Sequence, residues 1–572
     1  MPSLTLLAPV ALPLAAAGVT AALGLAGWKP GRAIVGAGTW GAVIALFVLW
    51  LPVRSTQDLN LGPLGYGGGF DLRLDGVAFA FGLVVLVPAA ILLTLQPRSW
   101  QEGTVAALGV AAAMLAVEAG GVLLTAMAGG TAATLAVIQL DLEDIRAPRP
   151  PWGVLLAAWL ALSWAGGILQ VVGGTAVYAA VPASALTVPV FSLLAAAALA
   201  ASGLFPWRGW AEQLWSRPSL KAAGMAVATL YPLGFYLLVR AYEMGDGRYP
   251  QPVFSVALAW LGVLVALGVA VRAQSATTRR EYLGEVIPGF GGFALMAIAL
   301  GTPVALVAGL VMLATMGVLA ACLPLLPDRP GPASLLAIAA AVGLPPGLAF
   351  GARVVGLEAT FEAGDFLGLI GIAGAAAWVI SMVAAVRAMG LPAGHGHPAN
   401  ETFPRIAMAL AALLLVAGPA LQLVVSAFAI PAQSDVMPAA TGRLGGSLIS
   451  VVTVQADLPA LTLFAPLLLL GAIAYGVTGG FGSRDRGVRR EPPAHGTATQ
   501  GLTTLVKSAP PPLFGMPGAA TYARLRDAVR DASVPEQYRS IVNPRALERA
   551  AAGGKPLLWL AAVVALAFAV TR

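Results

Sequence analysis

Long apolar segments follow one another along most of this chain, and one more stands at the C-terminal end. A helix needs about 20 apolar residues to cross the hydrocarbon core of a membrane, and by that length the chain has about 15 to 16 spans. Because 58% of the residues are hydrophobic and only 10% are charged, a water-soluble core cannot account for all of these segments. The sequence therefore predicts an all-α polytopic membrane protein.

Two of the apolar segments are interrupted, by FPWRGWAEQLWSRP at residues 205–218 and by GLPPGLAFGAR at residues 343–353. Paired interruptions of this kind are typical of transporters built from inverted repeats. We therefore predict two inverted five-helix repeats, each with a broken helix, at residues 101–245 and 246–390. The other predicted segments are an N-terminal three-helix segment (1–100), C-terminal helices (391–480), an Arg/Pro-rich arm with an amphipathic helix (481–553) and a terminal anchor helix (554–572).

Both breaks carry parts of longer motifs. The first break fits P-x-x-x-W…[TP]-P, and the second fits most of G-x-P-P-x-x-G-F-x-x-K. The matching residues are Pro206, Trp210, Pro218, Gly343, Pro345, Pro346 and Phe350. Asp75 and Gly76, which follow a polar loop predicted to be external at residues 54–73, fit an L-D-G entry to the third span. In these motifs the chain resembles the antiporter-like membrane subunits of the complex I and membrane-bound hydrogenase superfamily.

The C-terminal arm and anchor are similar to those of the hydrogenase-4 component B and formate hydrogenlyase membrane subunits. The resemblance implies a proton path of buried glutamate and lysine side chains. At the matching positions this chain has Gly129 and Gly130, Ala201 and Gly224, and only Arg353 keeps a charge. Arginine holds its proton too tightly to act as a relay. We therefore expect a degenerate proton path and a scaffold role.

This interpretation makes the chain a non-catalytic subunit of an oxidoreductase complex, similar to NADH–quinone oxidoreductase or a membrane-bound hydrogenase. Two alternatives stay open. The chain could be a working proton- or cation-translocating subunit with a rerouted relay, or the membrane partner of an inorganic-carbon or ion uptake module. The partners that copurify would distinguish a redox complex from an uptake module.

Few ionisable residues in the spans could form a rerouted relay. The proton-path candidates are Arg353, Glu358, Lys221, Glu118 and Glu362. Glu118 is either an interfacial residue at a helix end or a relay, and Lys221 either reaches the membrane surface or faces the first break. We expect Arg353 to pair with Glu358 or Glu362, which would lower the free-energy cost of burying its charge.

Within the first break, Arg208 and Glu212 are predicted to form a local ion pair, because residues four apart are neighbours on a helix surface. A single cysteine and three histidines do not form a typical metal or haem motif, so no metal or cofactor is predicted in this chain. The predicted partners are other membrane subunits, iron–sulfur or other redox subunits through them, and the lipid bilayer, but not nucleic acid.

Lysine and arginine are more frequent in the loops that follow odd-numbered spans than in those that follow even-numbered spans. The positive-inside rule then places the N-terminus outside an inner or plasma membrane. The arm at residues 481–553, which is rich in arginine, is predicted to lie in the cytoplasm.

Overall fold

The computed structural model describes residues 4–28, 33–65, 68–95, 99–143, 152–204, 210–211, 214, 221–326, 331–364, 367–391, 402–437, 445–446, 451–452, 457–458 and 469. Among these residues, eleven helices are long and apolar enough to cross a membrane, and three shorter helices are also apolar. The all-α polytopic architecture is therefore confirmed. The arm at 481–553 and the terminal anchor at 554–572 lie outside the described residues.

Helices and one hairpin form most of the described chain. The elements are α1 (Ala8–Leu25), α2 (Ala33–Trp50), β1 (Gln57–Gly65), β2 (Gly68–Leu74), α3 (Gly76–Leu95), α4 (Trp100–Glu118), α5 (Val122–Glu143), α6 (Trp152–Gly173), α7 (Val188–Ala201), α8 (Lys221–Thr229), α9 (Tyr231–Met244), α10 (Pro252–Ala273), α11 (Arg279–Leu300), α12 (Pro303–Cys322), α13 (Pro332–Val342), α14 (Leu348–Glu362), α15 (Gly368–Met389), α16 (Thr402–Val416), α17 (Leu421–Val424) and α18 (Ile430–Val436). Three two-residue strands follow, β3 (Gly445–Gly446), β4 (Val451–Val452) and β5 (Asp457–Leu458), in a segment for which only helices were predicted.

The loop predicted at residues 54–73 contains most of a β-hairpin. Strands β1 and β2 are antiparallel, with Gln57 opposite Leu74. Leu72 and Leu74 are buried, and Asp71 and Arg73 alternate with them. This period of two is the strand pattern, in which successive side chains point to opposite faces. The hairpin ends at Leu74, directly before α3 begins at Gly76.

The helices form an inner and an outer group. The inner helices α3, α11, α12 and the span formed by α8 and α9 are almost entirely buried within the protein. The outer helices α1, α2, α6 and α10 bury less than half of their residues, so their apolar side chains are available to lipid. An ionisable residue on an inner helix is therefore surrounded by protein and must find its partners there.

Helix α10 packs against α11 more extensively than any other pair in the described chain. A Cβ atom at Gly262 of α10 would lie 2.4 Å from the backbone nitrogen of Met296 and 2.6 Å from the carbonyl oxygen of Gly292. A Cβ at Gly292 of α11 would lie 2.7 Å from the Gly262 carbonyl oxygen. Glycine on both sides thus brings the two backbones into direct contact, as small residues do between membrane helices.

The two breaks predicted from the sequence follow the ends of α7 and α13. Helix α7 ends at Ala201, followed by Gly203 at φ +60°, and helix α13 ends at Val342, followed by Gly343 at φ +73°. Glycine is favoured there because the left-handed region strains other residues. The predicted residues Pro206, Arg208, Glu212 and Pro218 of the first break lie outside the described part, so their roles stay predictions.

Candidate functional site

The second break is built around Arg353, which lies on α14 and is 2% exposed. Its Nη2 donates to the carbonyl oxygen of Ala341 at 2.9 Å, and its Nη1 donates to the carbonyl oxygen of Val342. The indole Nε1 of Trp378 also donates to the Val342 oxygen, at 2.7 Å. These are the carbonyl groups that the end of a helix leaves without a partner in its own backbone. Arg353 therefore joins the two halves of the broken helix.

Three aromatic rings surround the same guanidinium. Its carbon lies 4.7 Å from the ring centroid of Phe290, 5.2 Å from that of Phe293 and 5.7 Å from that of Trp378. Such contacts attract a cation, and more strongly where water is excluded. The negative end of the α13 dipole and the three ring faces together stabilise the buried charge.

The expected glutamate partner of Arg353 is not Glu358. The guanidinium contacts carbonyl oxygens and rings instead, because the end of α13 offers acceptors at closer range. The side chain of Glu362 lies outside the described part of the chain, so that pairing stays a prediction. Phe350, from the predicted motif, packs on Trp378 with ring centroids 5.7 Å apart.

A tryptophan also satisfies the end of the first half-helix. The indole Nε1 of Trp210 donates to the carbonyl oxygen of Ala200 at 2.9 Å, one residue before α7 ends. The Trp210 side chain is fully buried and meets the ring of Tyr231 edge to face. Each break therefore has an indole donor on a carbonyl oxygen in the last turn of its half-helix, and at the first break this oxygen also accepts from the Gly203 N–H.

The positions that match the missing relay residues are filled by neighbouring atoms. A Cβ at Gly129 would lie 2.3 Å from the ring of Trp159. At Gly224 it would lie 3.2 Å from Leu92 and 3.5 Å from the carbonyl oxygen of Ala320. Ala201 is fully buried. A larger side chain at Gly129 would collide with Trp159 and one at Gly224 would displace Leu92, whereas a Cβ at Gly130 would make an ordinary contact with Trp159 at 3.5 Å.

The other predicted candidates lie on separate elements. Glu118 ends α4 and is only 1% exposed, so its carboxyl group is surrounded by protein, and the choice between an interfacial residue and a relay stays a prediction. Among the described residues neither of its carboxylate oxygens has a hydrogen-bond partner. Lys221 begins α8 and is partly buried, and Glu358 is partly buried on α14. The described contacts therefore do not join Glu118 to the other candidates.

A buried charge cluster that the sequence did not predict lies where the hairpin meets α3. Arg240 on α9 donates from Nη1 to Asp75 Oδ2 at 2.7 Å and from Nη2 to Asp75 Oδ1 at 2.9 Å. Both side chains have zero exposure. Glu243 accepts from Arg240 Nη1 at 2.6 Å, and Arg73 Nε lies 2.9 Å from Asp75 Oδ2. The two parallel bonds between Arg240 and Asp75 make a strong and specific pair.

The same cluster contacts helix α18. Asp75 accepts a hydrogen bond from the backbone nitrogen of Ala78 at 2.8 Å, and Asp435 of α18 accepts one from that of Gly76 at 2.5 Å. A Cβ at Gly76 would lie 2.2 Å from the carbonyl oxygen of Pro431. Two carboxylates thus bind the positive N-terminus of α3, and glycine is needed for α18 to approach.

The sequence indicates Asp75 and Gly76 only as part of a motif and does not single out Arg240. The available signal was an acidic residue directly before one apolar span and an arginine inside the last turns of another. Ionisable residues at such places need a partner. The sequence does not indicate which spans are neighbours, and so the pairing could not be predicted.

The pKa values of the two carboxylates of the cluster, Asp75 and Asp435, are shifted in opposite directions. Burial acts to raise the pKa of Asp75, but the charge and hydrogen bonds of Arg240, with Arg73 and the Ala78 N–H, bring it below its usual value. Burial and the nearby charge of Asp75 raise the pKa of Asp435 to about 6, although the Gly76 N–H opposes the shift. Asp75 is therefore ionised at neutral pH, and Asp435 gains a proton in mildly acidic solution.

We expect the stability of the protein to increase as the pH falls through about 6, because of Asp435. Its native pKa of about 6 exceeds the unfolded value of about 3.9, so the native state binds the proton more tightly. The contribution is complete below about pH 4 and is lost as the pH rises through about 6. The measurement is the unfolding temperature of the detergent-purified chain across this range, beside Asp435→Asn. Identical pH profiles for the two proteins would contradict the prediction.

No protein-family model and no curated protein matches this sequence. Solved structures do match it. A chain of the Mrp complex from Dietzia sp. DQ12-45-1b superposes with a TM-score of 0.71 at 20% identity, covering 94% of this chain. The match takes in 62% of the Mrp-complex chain, so the present chain spans about three fifths of its length.

Two further structures match over nearly their full length. A chain of the membrane-bound sulfane sulfur reductase, an archaeal respiratory membrane complex, gives a TM-score of 0.66 at 17% identity over 99% of this chain and 100% of its own. A chain of respiratory complex I from Thermus thermophilus gives a TM-score of 0.62 at 21% identity, and the match covers 76% of this chain and 98% of the complex I chain. The chain shares its fold with these chains of membrane complexes. The predicted resemblance is thereby confirmed at the level of fold.

Proposed function

We propose that this chain is an antiporter-like membrane subunit of a multisubunit redox complex, in which it acts mainly as a scaffold and does not move protons by the route of its fold relatives. The observation that carries the proposal is the filling of the relay positions. A Cβ at Gly129 would lie 2.3 Å from the ring of Trp159, and a Cβ at Gly224 would be in tight contact with Leu92 at 3.2 Å, so apolar atoms pack against both positions. A proton waiting inside a membrane needs a titratable group, and packed apolar atoms supply none.

The matched structures support the choice of partners. Each is a chain of a membrane assembly, and two of these assemblies are named as respiratory complexes. By analogy, the present chain would bind other membrane subunits and, through them, iron–sulfur or other redox subunits. Its nearest functional type would be the hydrogenase-4 component B or formate hydrogenlyase membrane subunit. The repeat boundaries at 101–245 and 246–390, the external N-terminus and the cytoplasmic arm at 481–553 belong to the same proposal.

One observation favours a second function, a subunit that moves protons by a rerouted path. Glu118 is a buried carboxyl group at the end of α4, with no hydrogen-bond partner among the described residues. A membrane-buried carboxyl group is a default candidate for proton transfer. An ion uptake module remains an alternative that the copurifying chains would decide, because it would lack iron–sulfur subunits.

Replacement of Glu118 by glutamine and of Lys221 by alanine distinguishes the scaffold role from proton translocation by a rerouted path. We expect each variant, in the assembled complex, to keep the wild-type ratio of protons translocated to electrons transferred. Asp246→Asn, which changes an exposed acid, serves as the matched control. The ratio is measured with a pH-sensitive dye in proteoliposomes driven by the electron donor of the complex. Loss of proton translocation in Glu118→Gln, with assembly and electron transfer intact, would establish the rerouted relay.

A further inference from the structure

The end of α13 has the geometry of a cation site. The carbonyl oxygens of Ala341 and Val342 stand at the negative end of a half-helix inside the protein, where the backbone cannot continue its own hydrogen bonds. In transporters with interrupted helices, carbonyl groups at such ends coordinate the coupling cation. Here a cation is already present, because both oxygens accept hydrogen bonds from the guanidinium of Arg353.

The rest of the surroundings also suits a cation. Rings of Phe290, Phe293 and Trp378 face the guanidinium carbon at 4.7 to 5.7 Å. Within the described part of the chain, the hydrogen bonds and ring contacts of Arg353 are made to backbone carbonyl oxygens and aromatic rings, so dipoles and ring faces stabilise the positive charge there. A Cβ at Gly343 would lie 2.7 Å from Nη1, which shows how closely the backbone wraps the occupant.

We propose that the end of α13 is a monovalent-cation site that the protein fills with its own side chain, so that Arg353 is a tethered cation that excludes diffusible cations from the break. The site takes a planar guanidinium group, whose fork of donors matches the two neighbouring carbonyl oxygens. Arg353 lies only eleven residues from Val342 along the chain and crosses the break to reach it. This inference deepens the proposed function, because a permanent charge in the break would oppose the passage of protons and other cations.

Removal of the side chain gives a direct test. In Arg353→Ala, free guanidinium ion at concentrations far below those that denature proteins is expected to raise the unfolding temperature of the purified full chain in a saturable manner. The wild-type protein, whose site is full, is expected to show no such rise. Urea is the control ligand, since it is planar and of similar size but uncharged. Equal responses to guanidinium and urea, or no saturable response in the variant, would overturn the proposal.

A second pair of variants keeps the test valid if Arg353→Ala fails to fold. Arg353→Lys keeps a charge, and Arg353→Met keeps a long side chain without one. We expect the lysine variant to retain more thermal stability than the methionine variant, because the carbonyl oxygens and rings favour a cation of either shape. Equal stability of the two, or greater stability of the methionine variant, would show that the site does not require a charge.

Passive proton permeability distinguishes failure of this inference from failure of the proposed function. In proteoliposomes under an imposed membrane potential, the wild-type chain is expected to be tight and Arg353→Met to leak. A leaky wild-type chain would refute the proposed function and leave the guanidinium result standing. A tight wild-type chain together with a tight Arg353→Met would refute the barrier alone.

Discussion

Replacement of Arg240 by methionine is expected to lower the free energy of unfolding by about 3–5 kcal/mol, the range observed when one partner of a buried ion pair is removed. The reason is that Asp75, with zero exposure, would keep its charge without its bidentate partner. Arg73 remains 2.9 Å from Asp75 Oδ2, so the lower end of the range is expected. Equilibrium unfolding in mixed micelles measures the loss.

Two further variants test whether the loss of stability comes from the buried charge left on Asp75. The double variant Asp75→Asn with Arg240→Met removes both charges and is expected to lose less stability than Arg240→Met alone. Arg272→Met removes a pair with Glu285 of similar length, 2.8 Å, in which the side chains are 25% and 20% exposed. That change is expected to cost less than Arg240→Met, since both side chains of this pair keep part of their exposure. Equal losses for Arg240→Met and Arg272→Met would contradict the importance of burial.

A methyl group added at the contact of α10 and α11 is expected to have the second large effect. In Gly262→Ala the new Cβ would lie 2.4 Å from one backbone atom and 2.6 Å from another, and neither can move without a shift of the whole helix. We expect a loss of about 1–3 kcal/mol, as is typical of overpacking. The measurement is the unfolding midpoint of the chain in mixed micelles.

Gly268→Ala is the matched control for this change. Gly268 lies on the same helix, and its added Cβ would meet no atom within 4 Å. There the substitution is expected to be neutral or to stabilise by about 0.5–1 kcal/mol, because alanine restricts the unfolded chain and favours the helix. Similar losses at both positions would mean that helix propensity and not close packing decides the outcome.

The spans and their interruptions could be predicted because they depend on local composition. A span requires only enough apolar length, and a break requires residues such as Gly343 that adopt a left-handed backbone. The hairpin was less visible, since the polar residues of β1 and β2 were interpreted as a loop. The alternation of Leu72 and Leu74 with polar neighbours was the signal that indicated a strand.

The partners of the buried charges could not be predicted in the same way. Asp75 and Arg240 are 165 residues apart, and their contact depends on the packing of α3 against α9. For Arg353 the sequence indicates a nearby glutamate as the partner. The structure shows that its acceptors are carbonyl oxygens, which are available only because α13 ends at Val342. Backbone acceptors are not visible as charged residues in a sequence, so a pairing between a side chain and a helix end cannot be predicted from the charged residues alone.

The ring of Trp159 beside Gly129 has a consequence for any attempt to give this chain a working relay. A carboxylate placed at residue 129 alone would collide with an aromatic ring whose atoms already lie within 2.3 Å of the Cβ position. Shortening Trp159 first would open a dry cavity and lose packing energy before any ionisable group could use the space. Neither single step is favourable by itself, so a carboxylate at residue 129 would require both changes together.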